Sequence, residues 1–308
     1  MALFKFGRKD SGASTTGSAD LVSFLGGFSI EVMPRTAEKV EDFSAILPRG
    51  TRVYIAHIEG TPIEEMVATA ARLRREGFEP MPHFPARIIK DKAMLTDWIA
   101  RYKGEADVRQ GLILAGNPAR QLGEFHSSMQ LLETGAFDGF ERLHVAGHPE
   151  GNKDIDPDGS DKMVMEALRW KQAFSARTDA KMALATQFCF DAGPVIDWVN
   201  RLTAEGIDIP VHIGVAGPAK LQTLIKFSIA CGVGPSLKVL QKRAMDVSKL
   251  LLPYEPDAFV NDLAAHKAAN PNFGIASVHF FPLGGIKTNA QWIADRTRPE
   301  PLVAQASI

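Results

Sequence analysis

In this 308-residue sequence, carboxylates, imidazoles and side-chain amides recur where an apolar run ends. Glu31 closes FSIEVMP, His57 and Glu59 follow TRVYIA, and His83 stands inside MPHFP. Asn117 follows GLILAG, His148 and Glu150 follow LHVAG, Gln187 and Asp191 lie in ATQFCFD, and His279 lies in ASVHFF. A carboxyl group among apolar neighbours is a candidate general acid, because burial disfavours its charged form and lifts its pKa toward neutrality. A side-chain amide presents a donor and an acceptor together, which suits a flat, amide-rich heterocycle. Imidazoles can hold or pass a proton near neutral pH. Together they describe a polar-lined cup for acid–base work on a small molecule.

The same sequence excludes several other chemistries. It has no GxGxxG or GxxxxGK[ST] phosphate cradle, no GxSxG elbow, no HExxH helix and no paired histidines in its first strand, so neither a serine nucleophile nor a catalytic metal is expected. With 35 basic and 36 acidic residues it offers no broad cationic surface for nucleic acid or anionic lipid. Two cysteines without CxxC spacing point to a reducing, cytoplasmic setting, with Cys189 in an apolar run and suited to burial. No apolar run approaches the ~18 residues of a membrane span.

The elements that must position the cup alternate regularly. Strand-like runs begin near residues 21, 51, 78, 109, 140, 180, 209 and 273, and a helical pattern follows most of them. Thr36 is placed as an N-cap, Thr61 and Pro62 open the next helix, and Gly77 and Gly206 end theirs. A helix is expected from about Ala119 to Thr134. Eight such alternations predict a single-domain (β/α)8 barrel over residues 21–295, after a Ser/Thr/Gly-rich arm at 1–20 and before a tail at 296–308. In that fold the eight strand ends converge on one mouth, where the polar residues above would meet. His144 and His212 fall early in their strands, toward the opposite end. Asp191 is placed to cap the helix that DAGPVIDWVN begins.

FSIEVMP, AGHPEGN and above all ATQFCFD, in this order and spacing, resemble the methylenetetrahydrofolate reductases, flavin-containing barrel enzymes of folate metabolism. The resemblance runs from about Ser29 to the eighth strand. It implies that Glu31 protonates the folate bridge, that Gln187 hydrogen-bonds the pterin, and that Phe188, Asp191 and Leu221 shape its slot. It also implies that His57, His83, Gly147, His148, Glu150, Asn152 and Lys171 lie at an FAD, with NADH or NADPH as electron donor and a homo-oligomer as the assembly. Asn117 stands where the family carries an aspartate that steadies the cationic intermediate, and His148 where a tyrosine is common. Two alternatives stay open: a flavin-independent, tetrahydrofolate-linked one-carbon enzyme, and a folate-binding barrel without catalysis.

Overall fold

The computed structural model describes residues 19–298, apart from 117, 119, 234–236 and 246–251. Eight strands pair in chain order, all parallel, and the eighth returns to the first to close the barrel. They are β1 Ser29–Val32, β2 Arg52–Ile55, β3 Glu79–Pro85, β4 Gln110–Leu114, β5 Arg142–Gly147, β6 Lys181–Cys189, β7 Val211–Ala216 and β8 Ile275–Phe281. The expected (β/α)8 barrel is the fold. Among the described residues no helix is long and apolar enough to cross a membrane.

Strand alternation sorts side chains between two environments. Ile30, Val53, Ile55, Phe84, Ile113, Val145, Leu184, Ile213, Val278 and Phe280 are buried in the main apolar cluster with residues of the surrounding helices. Tyr54, Met81, Leu112 and Ala185 form a separate small cluster. The spaces between those few apolar side chains inside the barrel hold polar ones. Near the strand starts, Arg52 Nε donates to Gln110 Oε1 at 2.6 Å and Gln110 Nε2 donates to Glu79 Oε2 at 2.8 Å.

Three expected elements differ. The run from Leu21 begins as a helix, α1 Ala19–Leu25, and only after Gly26 and Gly27 does the strand start. Its buried Leu21 and Leu25 are spaced for one helical face rather than for strand alternation. The helix expected from Thr36 is reduced to α2 Pro34–Ala37 and a 3-10 turn at Phe43–Ala45. There the Thr36 hydroxyl bonds both the N–H and the C=O of Met33, and Asp42 takes the N–H of Ser44, so side chains satisfy backbone groups that a longer helix would use.

The helix expected from Ala119 is only Ser128–Glu133, capped by Ser127. Before it, Leu122 and Glu124 donate their N–H groups to the carbonyls of Arg87 and Lys90, laying this segment along the loop that follows β3. Gly123 makes that approach possible: a Cβ there would stand 1.8 Å from the Lys90 carbonyl oxygen.

Candidate active site

Glu31 is the third residue of the four in β1, and its carboxylate lies between two imidazoles. Oε2 is 3.3 Å from His83 Nε2, from β3, and 3.9 Å from His279 Nε2, from β8. Both histidines are buried, whereas a fifth (20%) of the Glu31 side chain remains accessible. Burial by itself would raise the Glu31 carboxyl, but His279 and His83 together outweigh it and hold the pKa down at about 2. This corrects the expectation of a pKa lifted toward neutral. That expectation counted only apolar neighbours, because two imidazoles from distant strands are invisible in the local sequence.

Behind Glu31 the barrel interior continues as a polar column. His279 Nδ1 is 2.9 Å from Ser29 Oγ. The Tyr54 hydroxyl meets His144 Nδ1 in a short hydrogen bond. The His144 ring packs edge-on against His212 with centroids 4.5 Å apart, and Tyr54 lies 4.1 Å from the His279 ring. Burial lowers the pKa of His144 well below the ordinary value and that of His212 to about 3, with nearby cationic groups adding to the effect. It raises that of Tyr54. These rings therefore stay neutral around pH 7. His144 and His212 come early in their strands, as expected, but they line the interior instead of marking an inert end. His279 had stood among the strand-end residues without a role, and only barrel closure places it against Glu31.

Gln187 lies near the end of β6, on the same carboxyl side as Glu31. The register between β6 and β7 shifts between Ala185 and Phe188, a bulge that changes the direction of the residues within it. Thr186 Oγ fixes this bulge by donating to the Gln187 carbonyl and accepting from Gly214 N–H, each at 2.8 Å. The Gln187 amide oxygen accepts from Phe188 N–H at 3.1 Å and retains a second lone pair. Gly214 leaves room for the bulge, since a Cβ there would stand 2.5 Å from the Gln187 carbonyl oxygen. Gly214→Ala should therefore cost about 1–3 kcal/mol by forcing backbone apart. Chemical denaturation measures this, and an unchanged midpoint would rule out the close approach.

The other expected residues divide clearly. Phe188 and Leu221 come together in a second apolar cluster with Phe190 and Tyr254, next to the Gln187 bulge. Asp191 is exposed and accepts from Gly193 N–H as the cap of the helix Ala192–Ala204, so it serves the helix rather than a slot. His57 lies against the Trp98 ring at 4.7 Å, with Nε2 3.0 Å from the Thr61 carbonyl, and burial lowers its pKa to about 4. His83 faces Glu31. Gly147 sits under Trp198, where a Cβ would be 3.0 Å from the indole.

Around the loop after β5, Lys171 is buried and donates to the Ala146 carbonyl at 2.8 Å, with its pKa lowered by burial to about 8. His148 is half-buried, 3.5 Å from Asn152 Nδ2, and burial together with the Lys171 charge lowers it to about 3. Glu150, in the same loop, is close enough to raise the buried Cys189 thiol further. Asn117 lies outside the described residues. Among those described, no group of His, Cys, Asp and Glu is arranged to hold a metal ion.

No family model matches the chain. Among solved structures, it is similar to an uncharacterized protein from Clostridium thermocellum that binds two copies of 5-methyl-5,6,7,8-tetrahydrofolic acid. The match has a TM-score of 0.57 at 10% identity, covering 90% of this chain and 96% of that one. A weaker likeness, TM-score 0.43 at 9% identity over 87% of this chain and 98% of the other, is to a putative chitinase A from Streptomyces coelicolor. At these identities the first likeness shows a shared barrel fold.

Proposed function

We propose that the mouth of this barrel binds a reduced folate and reduces 5,10-methylenetetrahydrofolate to 5-methyltetrahydrofolate with Glu31 as the proton donor. The observation that carries this reading is the Glu31 carboxylate held between His83 and His279 at the carboxyl ends of the strands. The fold likeness to a protein that binds 5-methyltetrahydrofolate supports the choice of ligand. So do the Gln187 amide and the apolar wall of Phe188 and Leu221 on the same side of the barrel. A cleft of about 390 Å³ between the loops after β7 and β8 has Lys220 and Glu255 in its lining.

In the reaction, a proton on Glu31 goes to the bridge nitrogen N10 and the C–N10 bond opens, leaving an iminium at N5. A hydride from NADH or NADPH then adds to the iminium carbon, giving 5-methyltetrahydrofolate and the oxidised nicotinamide. One proton and one hydride are consumed per turnover.

In the empty site Glu31 is ionised, so a proton must arrive with the ligand. A pterin inserted between the carboxylate and the imidazoles removes the interactions that lower its pKa and leaves burial, which raises it. Binding should therefore take up a proton, seen as a dependence of the calorimetric binding enthalpy on buffer ionisation enthalpy.

The residues expected around FAD make a poor cradle for a flavin diphosphate. The Lys171 ammonium is committed to a backbone carbonyl, His148 is held neutral, and His57 and His83 are engaged by Thr61 and Glu31. The loop that follows His148 also exposes Asp154 and Asp158, which would repel a diphosphate. Direct transfer from the nicotinamide is therefore the reading adopted. The purified protein should be colourless, bind 5-methyltetrahydrofolate, and reduce methylenetetrahydrofolate with NADH or NADPH in the absence of added flavin. A yellow protein, or activity that requires FAD, would restore the flavin; binding without turnover would leave a folate-binding barrel.

A further inference from the structure

Averaged over the chain, 35 basic and 36 acidic residues cancel, but they are not evenly spread. The 37 residues from Ile209 to Met245 contain Lys220, Lys226, Lys238, Lys242 and Arg243 and no aspartate or glutamate. The remainder, with 30 basic and 36 acidic residues, is left at -6. After β7 come two helices, Leu221–Ala230 and Leu237–Met245, which pack on each other. Both rest on the second apolar cluster, through Leu221 and Leu224 of the first, Val233 of the turn and Leu240 of the second, against Phe188 and Phe190 at the end of β6 and just beyond it.

The cluster takes one face of each helix, so the opposite faces point outward. Positions i, i+4 and i+7 share a helical face, and on the first helix these are Gln222, Lys226 and Ile229, on the second Lys238, Lys242 and Met245. All six are exposed. Met245 (77%) and Ile229 (67%) are the two most exposed large apolar side chains among the described residues. Each outer stripe thus presents lysine and then ends on an apolar side chain held out in solvent.

We propose that this two-helix layer adsorbs to an anionic lipid surface, with the lysines on the headgroups and Ile229 and Met245 dipping into the boundary between headgroups and acyl chains. Leaving such side chains in water costs free energy, and an interfacial helix recovers it by burying them while its cationic groups meet anionic lipid. Two features favour a bilayer over a folded partner protein. The cations of both stripes are lysines, compact point charges that suit a diffuse field, whereas protein interfaces are enriched in the fixed fork of arginine. The apolar side chains stand singly, one per stripe, instead of forming the contiguous patch against which a protein partner packs. The layer lies on the membrane without crossing it, since neither helix is long enough to span. It is built on Phe188, next to Gln187, so the adsorbing surface belongs to the mouth end of the barrel.

Adsorption is independent of the chemistry at Glu31, and its test needs no turnover. The full chain should co-sediment with phosphatidylcholine vesicles containing roughly 30% phosphatidylserine at about 0.1 M salt, and be released at about 0.5 M, where screening is more than twice as short-ranged. With pure phosphatidylcholine it should stay in the supernatant. Near an anionic surface each lysine strengthens adsorption by about fivefold. Lys238→Glu combined with Lys242→Glu should therefore lower the partition by ~100-fold or more, because two attractions become two repulsions. Ile229→Ser combined with Met245→Ser should lower it by ~10-fold or more at unchanged charge. All four side chains are on the surface, so circular dichroism and the denaturation midpoint should keep their wild-type values, which separates lost adsorption from lost folding. Equal binding to neutral and anionic vesicles overturns the proposal, as does binding that either pair of substitutions leaves intact. Wild-type protein that binds no vesicle also overturns it and leaves the two stripes to an acidic protein partner.

Discussion

Glu31→Gln should reduce the reduction of methylenetetrahydrofolate by ~100-fold or more, the scale on which a general acid contributes, while 5-methyltetrahydrofolate binds within a few-fold of wild type. Glutamine fills the same space between His83 and His279 and can still hydrogen-bond a pterin, but it has no proton to give. Binding separates this outcome from a collapsed site. The substitution should also abolish the proton uptake expected on binding, because the group that takes up the proton is gone. Turnover at the wild-type rate would remove Glu31 from the chemistry, and loss of binding together with turnover would make it a ligand contact instead of an acid.

Acidification should unfold this protein well above the pH at which carboxylates usually matter. Five histidines, His57, His144, His148, His212 and His279, have pKa values lowered chiefly by burial from an ordinary 6.5. His57 falls to about 4, and His148 and His212 to about 3. Below pH 6.5 the unfolded chain protonates these rings while the folded barrel does not, so the unfolded state binds more protons and stability falls with pH. Each fully shifted ring removes up to ~1.4 kcal/mol per pH unit across that window, His148 less because it is only half-buried.

By pH 4 the three rings His57, His144 and His212 together remove on the order of 10 kcal/mol, comparable with a typical stability of about 5–15 kcal/mol. Glu31 acts in a lower window. Its folded pKa of about 2 lies below the ordinary 4.5, so its contribution is complete above pH 4.5 and lost only beneath that. Circular dichroism against pH should therefore show a steep transition near pH 5, with several protons taken up. A barrel that keeps its full ellipticity and denaturant midpoint down to pH 4 would show that the histidines titrate while folded.

Much of the architecture could be read from local signals. Eight apolar runs alternating with capped helical patterns pointed to a closed barrel more than to an open sheet, because period-2 and period-3.6 burial are set by neighbours along the chain. Where local side chains compete with the helix, as Thr36 and Asp42 do, or where a glycine admits a distant backbone, as Gly123 does, the same signals misplaced element boundaries. Asp191 shows that a residue type suited to chemistry can serve as a helix cap.

By itself the sequence determined which residue types end the strands, and therefore that Glu31 and Gln187 belong to one mouth. It could not determine the state of Glu31. That depends on His83 and His279, which lie 52 and 248 positions further along the chain; β3 brings the first across the barrel, and pairing of the eighth strand with the first brings the second. Nor could it reveal the column beneath, since a strand pattern says that His144 and His212 alternate with apolar residues but not what lies opposite. Electrostatic interactions act through space, whatever the separation along the chain, and are screened over roughly 8–10 Å at the surface and less where they are buried. Closure of the barrel therefore decided the protonation of the site, whereas its residue types were already written in the chain.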